Sequence, residues 1–255
     1  MITEVKLPSG HLGMFPVVKL NTELSGEHHE MFLAAPDRLF ERTLASVIGF
    51  LLDFGDVYKI AFIDLMYLFF IVRTASVGPT YKTKWVCKRT ITPAGAPKQE
   101  CGCDNQYTLS LPANVTKFVP PTFSYVYHDV TVDGISTRMY VRFPTVSEEF
   151  ASLDSLSAKN ITKEQLAEKD NAYQYAKLRV TQALTFEDAR INSYDSLKRE
   201  AIIKALPFTT VSALFNELAD LDAYGPDLSP KKVTCTKCKG DSKLAIPFSG
   251  EFLLP

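Results

Sequence analysis

The chain has 255 residues, 46 % of them apolar and 22 % charged, with a formal net charge of −1. That length and composition suffice for one large core or two small ones. The charge balance argues against a strong general affinity for polyanions, which needs a positive surplus or patch, and no long Lys/Arg block is present.

The first twenty residues are broken by Pro8, Gly10, Gly13 and Pro16 and hold no apolar run of a secretory signal. The expectation is therefore a chain that stays inside the cell that makes it, where the sequons at Asn114 and Asn160 go unused. Short strands are predicted around Glu4–Leu7 and Val17–Asn21, joined as a hairpin through a Gly-rich turn. Ser25 opens a helical stretch in which Phe40, Leu44, Val47, Ile48 and Leu51 fall on one face. The most apolar run, Ile60 to Val72, contains Asp64 and is much shorter than the roughly 20 residues of a bilayer span. It reads as a buried helix, not a membrane segment, and Ser76-Val77-Gly78-Pro79 ends it.

An alternating stretch follows at 107–111, and a second β region spans 123–143. Within it, Val132-Asp133-Gly134-Ile135 signals a hairpin with a type I′ turn. Ser147 to Leu156 starts a helical section. Thr162 and Gln165 form a capping-box pattern ahead of helices over 163–184, 193–206 and 209–221, with Pro207 between the last two. The tail from Tyr224 changes character, with Gly225-Pro226 and Ser229-Pro230 before short strand-like pieces. The fold class is thus α+β. Its organisation is a core of residues 1–111 plus 224–255, with 112–223 as an inserted β-hairpin and helical region.

All five cysteines lie in two places: Cys87, Cys101 and Cys103 in one, Cys235 and Cys238 in the other. Cys235-Thr236-Lys237-Cys238 has the spacing that lets two thiolates converge on one ion, and four thiolates make the closed tetrahedral site of structural zinc. The first group must supply the other half. Gly102 after Cys101 favours Cys101, and Cys87 closes the strand-like run Lys84-Trp85-Val86. The first choice of ligands is Cys87, Cys101, Cys235 and Cys238, and the second brings in Cys103 for Cys101 or Cys87. An iron–sulfur cluster also accepts four thiolates. Disulfides are disfavoured in a reducing compartment, and Lys239-Gly240 and Pro247 oppose the helix that a redox CxxC requires.

Nothing else makes a catalytic constellation. His28-His29 lacks partners one turn away, His128 beside Asp129 is no triad, and no nucleophile elbow, P-loop or dinucleotide fingerprint is present. Asp64 and Arg73 are expected to have structural roles in the central helix, with Asp64 capping neighbouring backbone or pairing with Arg73.

Several pieces, in order, carry a resemblance. They are Leu7-Pro8-Ser9-Gly10, the run from Ile60 through Asp64, Tyr67-Leu68 and Arg73 to Gly78, and Cys87…Cys101-Gly102…Asn105 to Leu111. The last is Cys235-x-x-Cys238, followed by Ile246-Pro247-Phe248 and Phe252-Leu253-Leu254-Pro255. The set resembles the T-even-type bacteriophage baseplate hub or tail-assembly family, over about the first 110 and last 35 residues. In that family the first cysteine half is usually a compact CxxC, and Gly stands where this chain has Lys239. The resemblance implies a structural part of a contractile-tailed virion, assembled in the host cytoplasm, with baseplate or tail proteins as partners and no small-molecule substrate. The tail Phe252–Pro255 would be an interface. A tail-assembly chaperone absent from the finished particle is one alternative. A zinc-ribbon nucleic-acid binder is another, although nucleic acid is disfavoured on charge.

Overall fold

A computed structural model describes residues 1–36, 39–53, 56–92, 98–110, 116–162, 164–227 and 230–244. Two strands open the chain, β1 (Ile2–Lys6) and β2 (Val17–Asn21), antiparallel with Ile2 opposite Asn21 and Lys6 opposite Val17. Alternation sends Val5, Val18 and Leu20 into the interior. Ser25 caps α1 (Gly26–Ala34): its hydroxyl accepts from the His28 amide, and His28 Nδ1 accepts from the Ser25 amide. Pro36 lies just beyond α1, so the helical stretch opened by Ser25 is two helices, the second being α2 (Phe40–Leu51).

The stripe Phe40, Leu44, Val47, Ile48 and Leu51 of α2 is buried against α3 (Phe62–Val77). In α3, Leu65, Leu68, Phe69, Phe70 and Val72 have no exposed surface, as expected of a helix apolar nearly all round. Rings of Phe32, Phe40 and Phe69 meet at centroid distances of 5.7–5.9 Å, each pair adding about 0.5–1.5 kcal/mol beyond its burial. Gly78, at φ 106°, stops α3.

Next come β3 (Thr80–Val86), β4 (Thr90–Ile91), β5 (Gln99–Glu100), β6 (Asp104–Ser110) and β7 (Thr116–Lys117). A second core begins with β8 (His128–Val132) and β9 (Ile135–Val141). Asp133 (φ 51°) and Gly134 (φ 78°) both take the positive φ of a type I′ turn between them. Thr145 caps α4 (Val146–Ser157) through a capping box with Glu148. One face of α4 joins the first core through Val146 and Phe150.

The capping box expected at Thr162 is half formed. Its amide donates to Gln165 Oε1, but a 3₁₀ turn follows and α5 starts only at Lys169, running to Ala183. There the chain turns directly into β10 (Leu184–Phe186), which adds to β9 to give the order β10-β9-β8. α6 (Ala189–Asn192), α7 (Ser196–Ala205) and α8 (Phe208–Asp222) complete this core, with Pro207 separating α7 from α8. The buried Glu149 of α4 accepts from Arg179 of α5, whose guanidinium also pairs with Asp222 of α8. This charge-assisted bridge joins three helices.

β11 (Gly225–Pro226) pairs with β7 and returns the chain to α3, where Gly225 (φ 80°) leaves no room for a Cβ beside Ile63. β12 (Lys231–Thr234) and β13 (Asp241–Leu244) then form the last described hairpin. The protein is α+β, with small sheets and a cysteine cluster drawn from the middle and the end of the chain.

Candidate metal centre

The first cysteine group sits at one end of the β3–β6 hairpin, in a register running from Thr80 opposite Ser110 to Val86 opposite Asp104. Cys87 follows β3, and fourteen positions separate it from Cys101. Between them a short ladder of β4 on β5 pairs Thr90 with Glu100 and Ile91 with Gln99. Its base closes where the Cys101 amide donates to Arg89 O at 2.8 Å and the Gly102 amide to Cys87 O at 3.0 Å. Gly102 adopts φ 60°, a conformation open to glycine at little cost. Backbone pairing thus does here what a compact CxxC does elsewhere: it sets Cys87 beside Cys101.

The second group occupies the turn between β12 and β13. The Lys239 amide donates to Cys235 O, and the Cys235 amide to Gly240 O, both at 3.0 Å. Lys239 takes φ 56°, costing about 1–2 kcal/mol in a residue with a Cβ. Gly240 lies under the Arg89 side chain, so a Cβ there would fall 2.2 Å from its guanidinium. The two hairpins therefore pack closely.

Four sulfurs converge where they meet. The Sγ atoms of Cys87, Cys101, Cys235 and Cys238 all lie within 4.8 Å of one another. Cys87–Cys238 is 3.7 Å and Cys101–Cys235 is 3.8 Å. Four sulfurs at about 2.3 Å from one tetrahedral ion lie about 3.8 Å apart, whereas a disulfide needs about 2.05 Å. Cys87, Cys101 and Cys235 are buried and Cys238 half-buried. The half-buried Cys103 turns aside, its Sγ 3.5 Å from Asp104 O and 3.6 Å from Thr236 Oγ1. Among the described residues this is the sole group of three or more Cys, His, Asp or Glu arranged to hold a metal ion.

The surroundings of the sulfurs are uneven. The amide of Cys238, reinforced by that of Lys237 and by Asn105, pulls the Cys235 thiol down to about 6. At Cys87 the Arg89 amide acts downward, but burial and the three neighbouring thiols outweigh it and hold the group at about 12. Burial chiefly raises Cys101. Four sulfurs this close cannot all carry charge unless a cation sits among them.

Asn105, which the reading of residues gave no role, is buried between the hairpins. Its Nδ2 donates to Cys103 O at 2.8 Å and to Cys235 Sγ at 3.6 Å. Its Oδ1 accepts from the Thr236 amide at 2.8 Å and the Thr236 hydroxyl at 3.0 Å. One side chain thus orients a sulfur and ties β6 to the CxxC turn 131 residues away. The available signal was an amide side chain at an inward position of an alternating strand.

Asp64 and Arg73 are buried but do not pair with each other, which corrects one of the two expectations. Nine residues of helix set them about 13 Å apart along the axis. Asp64, in the first turn of α3, accepts from the Ser9 amide at 2.9 Å and the Ser9 hydroxyl at 2.6 Å. Burial pushes its carboxyl up to about 7, against the two Ser9 hydrogen bonds. A Cβ on Gly13 would lie 2.0 Å from Ser9 Oγ, so the turn closes tightly over this contact. Arg73 donates to Gly78 O and lies 5.8 Å from the Tyr81 ring centroid, holding the end of α3 to the start of β3. His28 serves the α1 cap, and His128 pairs with Glu217 at 2.7 Å. The tail Phe252–Pro255 and Ile246–Phe248 lie outside the described residues.

The fold and this centre define an α+β protein whose middle and end are brought together at a four-cysteine cluster. The chain belongs to the T4 bacteriophage base plate protein family, whose model matches residues 1–253. It is a phage baseplate protein, and membership implies a place in the virion tail among other phage structural proteins. No curated protein and no solved structure is significantly similar to it. No helix among the described residues is long and apolar enough to cross a membrane.

Proposed function

We propose that the chain is a non-catalytic component at or beside the baseplate hub, a protein–protein interaction module stiffened by one zinc ion on Cys87, Cys101, Cys235 and Cys238. The observation that carries the metal is the 3.7–3.8 Å spacing of facing sulfurs, which suits a single four-coordinate ion. A cluster would have to place several irons and sulfides between the thiols, and this spacing leaves no space for them. Four thiolates leave no open position for a water or substrate, so the ion supplies rigidity.

In this reading the zinc fastens residues near 87–101 to β12 and β13. The working organisation is residues 1–111 plus 224–255 as the clamped core and 112–223 as the insertion. Asp64 and Arg73 hold the two ends of the helix on which that core is built. Phe252–Pro255 and the Asp133-Gly134 turn are offered to neighbouring baseplate proteins, first met in the host cytoplasm. Family membership supports the setting, and the position near the hub rests on the motif resemblance.

A mass-spectrometric inventory of purified particles and tail intermediates tests this reading. The expected result is the chain in mature baseplates at fixed stoichiometry. Presence in intermediates alone would instead indicate an assembly chaperone, and absence from both would overturn the proposal.

A further inference from the structure

The net charge of −1 averages two unlike regions. Residues 80–110 and 230–244, which form the cysteine-bearing hairpins, hold ten Lys and Arg against three carboxylates, a net of +7. The rest of the chain is then at −8. Four thiolates around a divalent ion would remove two positive charges and leave a clear excess.

These cations are largely unneutralised. Lys231 pairs with Asp227 and Lys232 with Asp241. The other eight are Lys82, Lys84, Lys88, Arg89, Lys98, Lys237, Lys239 and Lys243. All eight are exposed, and no carboxylate of the described residues lies within ion-pair distance of them. Lys82 and Lys84 share the outward face of β3. Lys88, Arg89, Lys237 and Lys239 each lie within two residues of a clustered cysteine, so convergence of the thiols gathers them. Lys232 and Lys243 stand directly opposite each other across β12 and β13, a like-charge pairing in which Asp241 neutralises Lys232 and leaves Lys243 without a carboxylate partner.

We infer that this basic hairpin unit binds the phosphate backbone of nucleic acid without regard to sequence. Seven of the eight unpaired cations are lysines. Lysine is depleted in protein–protein interfaces but suits diffuse attraction to phosphate as a hydrated point charge. Trp85 packs against the cysteine cluster, so it is not presented for stacking on bases, and the attraction is to backbone charge alone. This function is additional to the structural role proposed above, and its failure would leave the particle inventory untouched.

The test is fluorescence anisotropy of the full chain with a labelled duplex of about 30 base pairs and arbitrary sequence. With about four phosphates neutralised, binding should weaken about a hundredfold between about 50 and about 200 mM salt. The double variant Lys237→Gln/Lys239→Gln should lower the log–log salt slope by about two with its melting temperature unchanged. Lys6→Gln/Lys19→Gln, on the N-terminal hairpin, should leave binding as it was. No binding at low salt, or binding indifferent to the ribbon substitutions, would overturn the inference. So would polyglutamate competing as well as unlabelled duplex, which would assign the unit to an acidic protein surface.

Discussion

The α3 core and the cysteine hairpins hold together by opposite means. Around α3, dozens of apolar side chains share the stabilisation, and Leu65, Leu68, Phe69, Phe70 and Val72 are all fully enclosed. The hairpin unit buries little beyond Cys87, Cys101 and Cys235 and the rim around them. Its two halves, separated by more than a hundred residues, meet chiefly through the four clustered sulfurs and Asn105, with Arg89 packed over Gly240 and Cys103 against Thr236. Loss of one side chain should therefore be graded in the core and close to all-or-none in the hairpins.

The largest contrast should come from Cys235→Ser. Binding of a structural zinc contributes on the order of 10 kcal/mol to folding, and three thiolates hold it far less well. The expected outcome is loss of metal, exposure of the remaining thiols to a thiol reagent, and a steep fall in soluble yield. Cys103→Ser should leave metal content unchanged, because its sulfur faces Asp104 O and Thr236 instead of the cluster.

Asp64→Ala should come next. It strands the Ser9 amide and hydroxyl in a buried site, at about 1–3 kcal/mol for each group left unsatisfied, measurable by urea denaturation. The same residue gives a pH signature. Its carboxyl stands at about 7 in the folded chain against an ordinary 3.8, so between those values the folded state holds a proton that the unfolded state has released. The contribution of Asp64 is therefore fully present below about pH 4 and is lost as pH rises through about 7. Asp64→Asn should flatten that slope.

How much of this was readable from sequence follows the range of each interaction. Ser25, Asp133-Gly134, the α2 stripe and the apolar α3 all act within a few residues, and each produced its expected element, with Pro36 dividing the stretch after Ser25 into two helices. The misses are long-range. β10 exists because β9 offers an edge; from sequence Leu184 ends a helix and Thr185 and Phe186 belong to no element. The partner of Asp64 is 55 residues away, whereas Arg73 is the cation at the end of the same apolar run. The 87–101 loop reads as irregular until the pairing of Thr90 with Glu100 closes it. Asn105 has a role only once Thr236 is beside it.

Asn105→Ala sharpens the contrast at smaller scale. It removes the side-chain hydrogen bonds from β6 to Cys235 and Thr236 and should cost about 1–3 kcal/mol. Hydrogen exchange should localise the effect to β6 and the 235–238 turn, with metal still bound. The smallest effect on stability belongs to deletion of residues 252–255, which should leave metal content and melting unchanged while lowering incorporation into tails. Normal incorporation of the truncated chain would remove that segment from the interface.

Metal stoichiometry of the purified chain tests the central claim most directly. Native mass spectrometry under non-denaturing conditions, followed by the same measurement after acid unfolding, should show one zinc per folded chain, released on unfolding, with four thiols protected before release. A folded chain that carries no metal and reacts at all five cysteines would contradict the account.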